Sequence, residues 1–236
     1  QQSINRLLGR FNQDHLQRRA DDDELSARIH AYELAFRMQS EAPELVDLST
    51  ETEETLKLYG ADQEPTREFG QRCLLARRMI ERGVRFVQLY SGDIGGWDAH
   101  KDVAKNHGSY CQKTDQPVAG LLEDLHRRGL LEDTLVLWGG EFGRTPNIGT
   151  QGSTDGRNHW PVVMSMCLAG GGMRHGQVIG STERDGSDIR TRPVTPGDIG
   201  ATIYRHMGVP IDVTYQDDSG RPIASIIDGA PISELF

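Results

Sequence analysis

Glu141 and His159 lie in one glycine-rich stretch, residues 139–160, and their side chains could bind a metal ion or exchange a proton. The stretch follows Thr-Leu-Val-Leu-Trp at 134–138, an apolar run that is typical of a buried parallel strand. Glu141 is therefore predicted at the carboxyl end of a strand, the edge of an open α/β sheet where sites form. An acid and an imidazole on irregular backbone indicate metal binding or acid–base chemistry.

A second candidate loop has the sequence Gly-Gly-Trp-Asp-Ala-His at 95–100 and follows a predicted strand at 84–90. Its glycines allow the backbone to approach a ligand or another loop closely. Asp98 and His100 are two residues apart, so in extended backbone their side chains point the same way. The alternative is that Asp98 caps the next helix and that His100 is solvated.

The longer stretch is also open to structural interpretations. Glu141 could form an ion pair with Arg144 or Arg157, and His159 could form a structural hydrogen bond beneath Trp160. Two carboxylates and two imidazoles meeting at one sheet edge favour metal binding over these separate alternatives. Oxygen and imidazole ligands without thiolate suit Zn, Mn, Fe or Ca, and ligand type alone does not choose among these ions.

Other histidines are weaker candidates for the site. His107 follows the first loop by a couple of helical turns and could supply a further ligand. Surface or packing roles are favoured for four histidines on predicted helices or in the acidic N-terminal region: His15, His30, His126 and His206.

The elements that must position these loops alternate between helix and strand from Thr66 onward. Helices are predicted from Thr66 to Gly83, across 101–128 with an interruption or bend near Pro117, and from Thr195–Pro196 to Gly208. Strands are predicted at three places, 84–90, 134–138 and 162–169, with turns and a short hairpin in the tail. Strand, helix, strand with a long crossover predicts a parallel α/β sheet.

The first 65 residues show no strand pattern and are predicted to form a helical arm packed on the core, with residues 66–236 as the α/β core. Leu25, Ile29, Tyr32 and Phe36 recur at helical spacing after the acidic residues 21–24. Pro43 is predicted to end this helix.

Composition excludes two classes of protein. The chain has 236 residues, 36% hydrophobic and 26% charged, with a formal net charge of -9. No segment approaches the roughly 18 to 20 apolar residues of a membrane span. Lys and Arg are scattered among acidic residues, which argues against a nucleic-acid surface. The cysteines have no metal or redox spacing, and Cys73 and Cys167 are predicted in the core.

Three sequence elements together resemble the bacterial "domain of unknown function 1501" family, whose members are often described as sulfatase-like. They are Leu-Trp-Gly-Gly-Glu-Phe-Gly-Arg-Thr-Pro at 137–146, Gly-Arg-Asn-His-Trp at 156–160 and the loop at 95–100. The similarity continues at 31–38 and 114–117, so it extends over nearly the whole chain.

That family is similar in turn to a branch of the alkaline phosphatase superfamily, which includes phosphatases, sulfatases and phosphoglycerate mutases. The resemblance implies a parallel-sheet alkaline phosphatase/sulfatase-like core flanked by helices and incomplete at its N-terminus. It implies that Asp98, His100 and His159 bind one divalent metal ion and that Glu141 approaches a second. The resemblance also implies export to the periplasm or the extracellular space.

The chain departs from the superfamily pattern at two positions within the candidate site. Glu141-Phe142 stands where Asp-His or Asp-Asn is common, and phenylalanine cannot bind a metal. The spacing from Asp98 to His100 is also shorter than usual. The superfamily's nucleophile lies on a first strand, which is expected in a region upstream of this chain.

These features predict part of a metal-dependent hydrolase of sulfate or phosphate esters, without turnover by this chain alone. Arg144 or Arg157 would bind the anionic group of the substrate. The alternative is a non-catalytic secreted binding or scaffold protein that keeps the fold. A third hypothesis is a mononuclear hydrolase or isomerase in which Glu141 is the general base.

Overall fold

A computed structural model describes residues 2–19, 23–92, 95–149, 152 and 154–236. The chain divides into two compact units, Gln1–Glu51 and Thr52–Phe236. The division therefore falls before the boundary predicted after residue 65. The reason is that Tyr59, fully buried, belongs to the second unit, where its hydroxyl donates a hydrogen bond of 2.9 Å to Asp124.

The first unit consists of helices α1, Gln2–Gln17, and α2, Asp23–Val46, followed by a short 3₁₀ turn. The helix containing Ile29 is confirmed, but its predicted apolar face is only partly buried, because Tyr32 is exposed. Pro43 does not end α2 as predicted. It lies in the last turn, where the missing N–H removes a single helical hydrogen bond. Asp21 and Asp22, the first two of the acidic residues 21–24, lie outside the described part.

Three helices form the first layer of the second unit: α3, Glu53–Leu58, α4, Arg67–Glu81, and α5, Val103–Arg127. Both long helices were predicted, and Pro117 lies inside α5 without ending it. Gly120 lets α5 approach α3 closely, because a Cβ there would lie 2.5 Å from the Leu58 carbonyl oxygen. The site loop at 95–100 leads directly into the N-terminus of α5.

The described strands form four antiparallel pairs. These are β1, Leu135–Gly139, with β4, Met166–Gly170; β2, Gly143–Arg144, with β3, His159–Trp160; β5, Ser181–Thr182, with β6, Ile189–Thr191; and β7, Thr214–Gln216, with β8, Pro222–Ala224.

Strands near 134–138 and 162–169 were predicted, but their pairing is antiparallel, not parallel. A parallel pair needs a long crossover, usually a helix, whereas the described residues of the connection at 140–165 contain no helix and fold back through β2 and β3. The alkaline phosphatase-like fold of the whole domain stays a prediction.

The predicted strand at 84–90 is wrong in the described structure. The segment is extended, but no described strand pairs with it, and Phe86 and Tyr90 are exposed. The Tyr90 carbonyl instead accepts a hydrogen bond of 2.9 Å from Arg72 of α4. Alternation of apolar side chains indicates extended backbone, whereas a strand also requires a partner.

The prediction of a core position for Cys167 is also wrong. Cys167 lies opposite Trp138 in the β1–β4 pair, and both residues are exposed. Their face of this two-stranded ladder carries no cover in the described structure. Cys73, by contrast, is buried in α4 as predicted.

The last helix, α6, Pro196–His206, begins at the Thr-Pro pair as predicted. Thr195 and Asp198 also form a complete capping box there, which was not predicted. Asp198 also accepts a hydrogen bond of 2.9 Å from the backbone N–H of Ala230, which anchors the tail. The tail then packs in a small core of Met173, Ile232 and Leu235 with residues of β1 and β4. None of the described helices is long and apolar enough to cross a membrane.

Candidate metal centre

The β2–β3 ladder places Arg144 and His159 beside each other. Arg144 lies directly opposite His159, and Gly143 lies opposite Trp160. Side chains of directly opposed residues share one face of the ladder. Gly143 is required for this pairing, because a Cβ there would lie 1.6 Å from the Val163 carbonyl oxygen.

The loop that carries Asp98 and His100 docks against the segment before β3. A Cβ on Gly156 would lie 2.0 Å from the carbonyl carbon of His100, so only glycine permits this approach. The backbone N–H of Arg157 donates a hydrogen bond of 3.0 Å to the Ala99 carbonyl. The two loops are therefore joined through their backbones next to the candidate ligands.

Three of the predicted ligands meet at this junction. Nε2 of His100 lies 3.0 Å from Oδ1 of Asp98, and Nε2 of His159 lies 3.1 Å from the same oxygen. One ligand atom from each residue lies within 4.8 Å of the other two. The imidazole rings of His100 and His159 are 5.2 Å apart between centroids. Sequence spacing predicted this cluster, and the contact between the loops produces it.

Asn158 fixes the orientation of the His100 ring. Its Oδ1 contacts Nδ1 of His100 at short hydrogen-bond distance. Because this oxygen accepts, Nδ1 carries the hydrogen and Nε2 faces Asp98. A histidine that binds a metal commonly donates its other ring N–H to such an acceptor. Nε2 of His100 is therefore the ring nitrogen that is presented to an ion.

Arg144 forms an ion pair with Asp98. Its guanidinium is mostly buried and forms a short ion pair with Oδ1 of Asp98. Partial burial raises the pKa of the Asp98 carboxyl. The hydrogen bond with His159 and the charge of Arg144 lower this pKa by a larger amount. The net pKa lies below its usual value, so Asp98 stays ionised and available as a ligand at neutral pH.

The donor set fits a divalent ion. Two imidazoles and one carboxylate are a set that Zn and Fe sites use, with a position left open. Ligand atoms about 2.1 Å from a tetrahedral zinc lie about 3.4 Å apart, close to the 3.0 and 3.1 Å observed between Asp98 and the two imidazoles. The three side chains are a third to a half exposed, so an ion can reach them from solvent.

Glu141 lies outside this cluster. Its carboxylate is exposed and forms an ion pair of 2.9 Å with Arg144, the structural alternative that the sequence left open. It reaches the ligands only through Arg144, which bridges it to Asp98. A role for Glu141 at a second ion stays a prediction.

Phe142 occupies the wall of the site beside His159. The two rings meet edge to face with their centroids 4.8 Å apart, and the Arg144 guanidinium lies 5.4 Å from the Phe142 centroid. The Phe142 ring therefore stabilises the position of the candidate ligand His159, although Phe142 itself cannot bind a metal.

Arg157 contributes its backbone to the loop junction, and no described side chain pairs with its guanidinium. This half-buried cation lies next to Asn158 in the chain. Of the two arginines predicted to bind substrate, Arg144 is therefore engaged by carboxylates and Arg157 remains available to an anion.

Sequence reasoning missed the residues that support the ligands. Asn158 was predicted only as part of the Gly-Arg-Asn-His-Trp motif. Its position next to His159 is the sequence feature that could have indicated a supporting role. Thr145, which is almost fully buried, joins the same segment to β2. Its backbone N–H donates a hydrogen bond of 2.8 Å to the Asn158 carbonyl. His107, a weaker ligand candidate, lies outside the cluster.

Comparison with known families gives one result that covers the whole chain. A sequence model of the family described as "Protein of unknown function (DUF1501)" matches residues 1–236. Searches of curated proteins and of solved structures give no match.

Proposed function

We propose that this chain, which belongs to the family of proteins of unknown function DUF1501, is part of a metal-dependent hydrolase of sulfate or phosphate esters. Asp98, His100 and His159 would hold a divalent ion, and the fold would be that of the alkaline phosphatase superfamily. The observation that carries the proposal is the convergence of these three ligand atoms within 4.8 Å.

The ion would supply Lewis-acid polarisation of an ester oxygen. The protein's own residues would orient and retain it. Asn158 holds the His100 ring so that Nε2 is presented, and Arg144 keeps Asp98 ionised. Because an arginine can form two parallel hydrogen bonds to sulfate or phosphate, the guanidinium of Arg157 is assigned to the oxyanion of the substrate.

The first test is metal content, measured by elemental analysis of the purified protein and of His159→Ala. We expect about one Zn, Mn, Fe or Ca per chain in the wild type and a sharp fall in the variant. His126→Ala is the matched control, because His126 is exposed on α5 and outside the cluster. Equal metal content in His159→Ala and the control would refute the ligand assignment.

The second test is oxyanion binding, measured by titration calorimetry with inorganic sulfate and phosphate on the metal-loaded protein. Arg157→Gln should weaken binding about tenfold, because a charge-assisted hydrogen bond contributes about 1.5–3 kcal/mol. Hydrolysis of para-nitrophenyl sulfate and phosphate is then assayed on the natural polypeptide that contains this chain. Metal binding without oxyanion binding or hydrolysis would overturn the hydrolase proposal.

A second candidate function is a non-catalytic exported binding or scaffold protein that retains the metal site. Phe142 favours it, because an aromatic ring packs against His159 where a hydrolase of the superfamily places a polar residue. Replacing Phe142 by Asn separates the two functions. A wild type that binds no oxyanion and gains affinity in Phe142→Asn would favour a hydrolase ancestry that lost its site. A wild type that binds oxyanion with an affinity unchanged in Phe142→Asn would favour the hydrolase proposed first.

A further inference from the structure

Two side chains at the start of α5 contact the backbone that leads into Asp98. Nδ2 of Asn106 donates a hydrogen bond of 2.9 Å to the Gly96 carbonyl. Nε2 of His107 lies 3.1 Å from the Trp97 carbonyl oxygen. Consecutive helix residues thus bind consecutive carbonyl groups, and the next residue in the loop is the ligand Asp98.

These contacts fix the direction from which Asp98 enters the site. A peptide group is planar, so a bound carbonyl also fixes the N–H of the following residue. The Trp97 carbonyl accepts a second hydrogen bond of 3.0 Å, from the backbone N–H of Ala99. The peptide groups on both sides of Trp97 are therefore held by α5 and by the turn.

Trp97 holds the same loop from its side chain. Nε1 of Trp97 donates a hydrogen bond of 2.9 Å to the Ser91 carbonyl. Its ring lies 5.6 Å from that of His107 and 5.2 Å from that of Tyr110, between centroids. His107 therefore contacts the loop twice, once by its ring face and once by Nε2.

The contact with the Trp97 carbonyl also argues against a role for Nε2 of His107 as a metal ligand. A carbonyl oxygen only accepts, so Nε2 of His107 carries a hydrogen and is directed at backbone. A metal ligand needs a bare ring nitrogen turned toward the ion. Nε2 of His107 is therefore not a ligand atom, and His107 lies outside the three-residue cluster of Asp98, His100 and His159.

We propose that Asn106 and His107 are positioning residues, which hold the 95–100 loop so that Asp98 faces His100 and His159. The inference rests on the proposed metal site for its functional consequence. The clamp itself is a property of the loop and of α5, made by the contacts of Asn106 and His107 with backbone.

The test uses three variants and two measurements. His107→Leu removes the donor, His107→Gln retains an amide donor that can reach the same carbonyl, and Asn106→Leu removes the other contact. Zinc affinity is measured by titration calorimetry, and hydrogen exchange of the backbone amides of residues 96–100 is measured without metal. His126→Ala is the control on the same helix.

We expect zinc affinity to fall about tenfold in His107→Leu and Asn106→Leu, the lower range for lost supporting contacts at metal sites. His107→Gln should stay within about threefold of the wild type. Amide exchange at Asp98 and Ala99 should be faster in both leucine variants. Rescue by glutamine identifies the hydrogen bond as the cause, which general destabilisation would not produce.

The outcomes separate this inference from the proposed function. Wild-type affinity in His107→Leu, with unchanged exchange, would overturn the clamp and leave the metal site intact. Faster exchange in a protein that binds no zinc would overturn the metal site and leave the clamp intact. A loss in His107→Gln equal to that in His107→Leu would contradict the role of the Nε2 donor.

Discussion

Two clusters of paired charges in the second unit use similar side chains at different depths. One lies between helices, around Asp124 of α5, and the other lies between loops, around Asp98. Each has a carboxylate bonded to arginine. Asp124 is buried, whereas the Asp98 side chain is 33% exposed and its two histidine partners are about half exposed.

The helix cluster is closed. Asp124 accepts hydrogen bonds from the Tyr59 hydroxyl at 2.9 Å and from Nε of Arg128 at 2.8 Å, and it forms an ion pair of 3.0 Å with Arg77. Glu81 pairs with both Arg77 and Arg128, at 2.6 and 2.9 Å. Each buried charge has an opposite charge in contact, and the partners come from α4, α5 and the residue after α3.

The loop cluster is open. Two imidazoles face one carboxylate through their Nε2 atoms, which are the atoms that would bind an ion. A buried, paired network has no such second use, because removal of Asp124 leaves the buried Arg77 with Glu81 as its one remaining carboxylate in this cluster. The degree of burial therefore separates the two roles. The buried helix cluster stabilises the second unit, and the exposed loop cluster is able to bind an ion.

The substitution Asp124→Asn gives the largest expected effect, and it tests whether the helix cluster serves stability and not metal binding. The amide keeps the shape but removes the charge, leaving Arg77 and Arg128 with Glu81 alone. We expect a loss of about 3 kcal/mol in the free energy of unfolding, at the lower end for a broken buried pair. Urea denaturation gives this value, and zinc affinity should stay within about twofold of the wild type.

Glu123→Gln is the matched control for that experiment, since Glu123 is the preceding residue of α5 and forms an exposed ion pair with Arg127. Its loss should cost about 0.3–0.5 kcal/mol. Equal effects of the two substitutions would contradict the role assigned to burial. A large loss of metal affinity in Asp124→Asn would show that the two clusters are coupled.

Sequence periodicity was sufficient for the helix cluster's framework. The boundaries of α4 and α5 follow from apolar spacing and from Gly83 and Gly129, both with positive φ. The ion pairs themselves were not predicted, because Arg77 and Asp124 are 47 residues apart and charged residues on a helix are usually exposed.

For the loop cluster, residue chemistry predicted more than strand reasoning did. Asp98, His100 and His159 were identified by type and by position in glycine-rich loops. The parallel sheet that was expected to gather them is not observed among the described strands. The antiparallel β2–β3 pair and the fit of Gly156 against His100 bring them together, and neither leaves a periodic pattern in sequence.

Alkaline pH sharpens the comparison with a smaller effect. Burial raises the pKa of the Cys73 thiol in α4 from its ordinary value near 9.0 to about 12. In the unfolded chain the thiol ionises first, so this contribution is fully present below pH 9 and is lost as pH rises toward 12. The free energy of unfolding should fall by about 1.4 kcal/mol per pH unit from this group.

Denaturation of the wild type and of Cys73→Ala between pH 8 and 10 measures this slope. The variant should lose the Cys73 contribution, so its stability should fall less steeply above pH 9. Cys111→Ala is the control, because Cys111 is exposed on α5. Parallel curves for the wild type and Cys73→Ala would contradict the burial of this thiol in the folded protein.

The smallest expected effect distinguishes two roles for Glu141. In the structure this carboxylate is exposed and pairs with Arg144, so Glu141→Gln should leave zinc stoichiometry unchanged and zinc affinity within about twofold of the wild type. An exposed ion pair contributes about 0.2–1 kcal/mol, so stability should barely change. Elemental analysis and titration calorimetry check both values beside His159→Ala. A loss of bound metal in Glu141→Gln would make Glu141 a ligand, and the open cluster would then extend past Arg144 to a second ion.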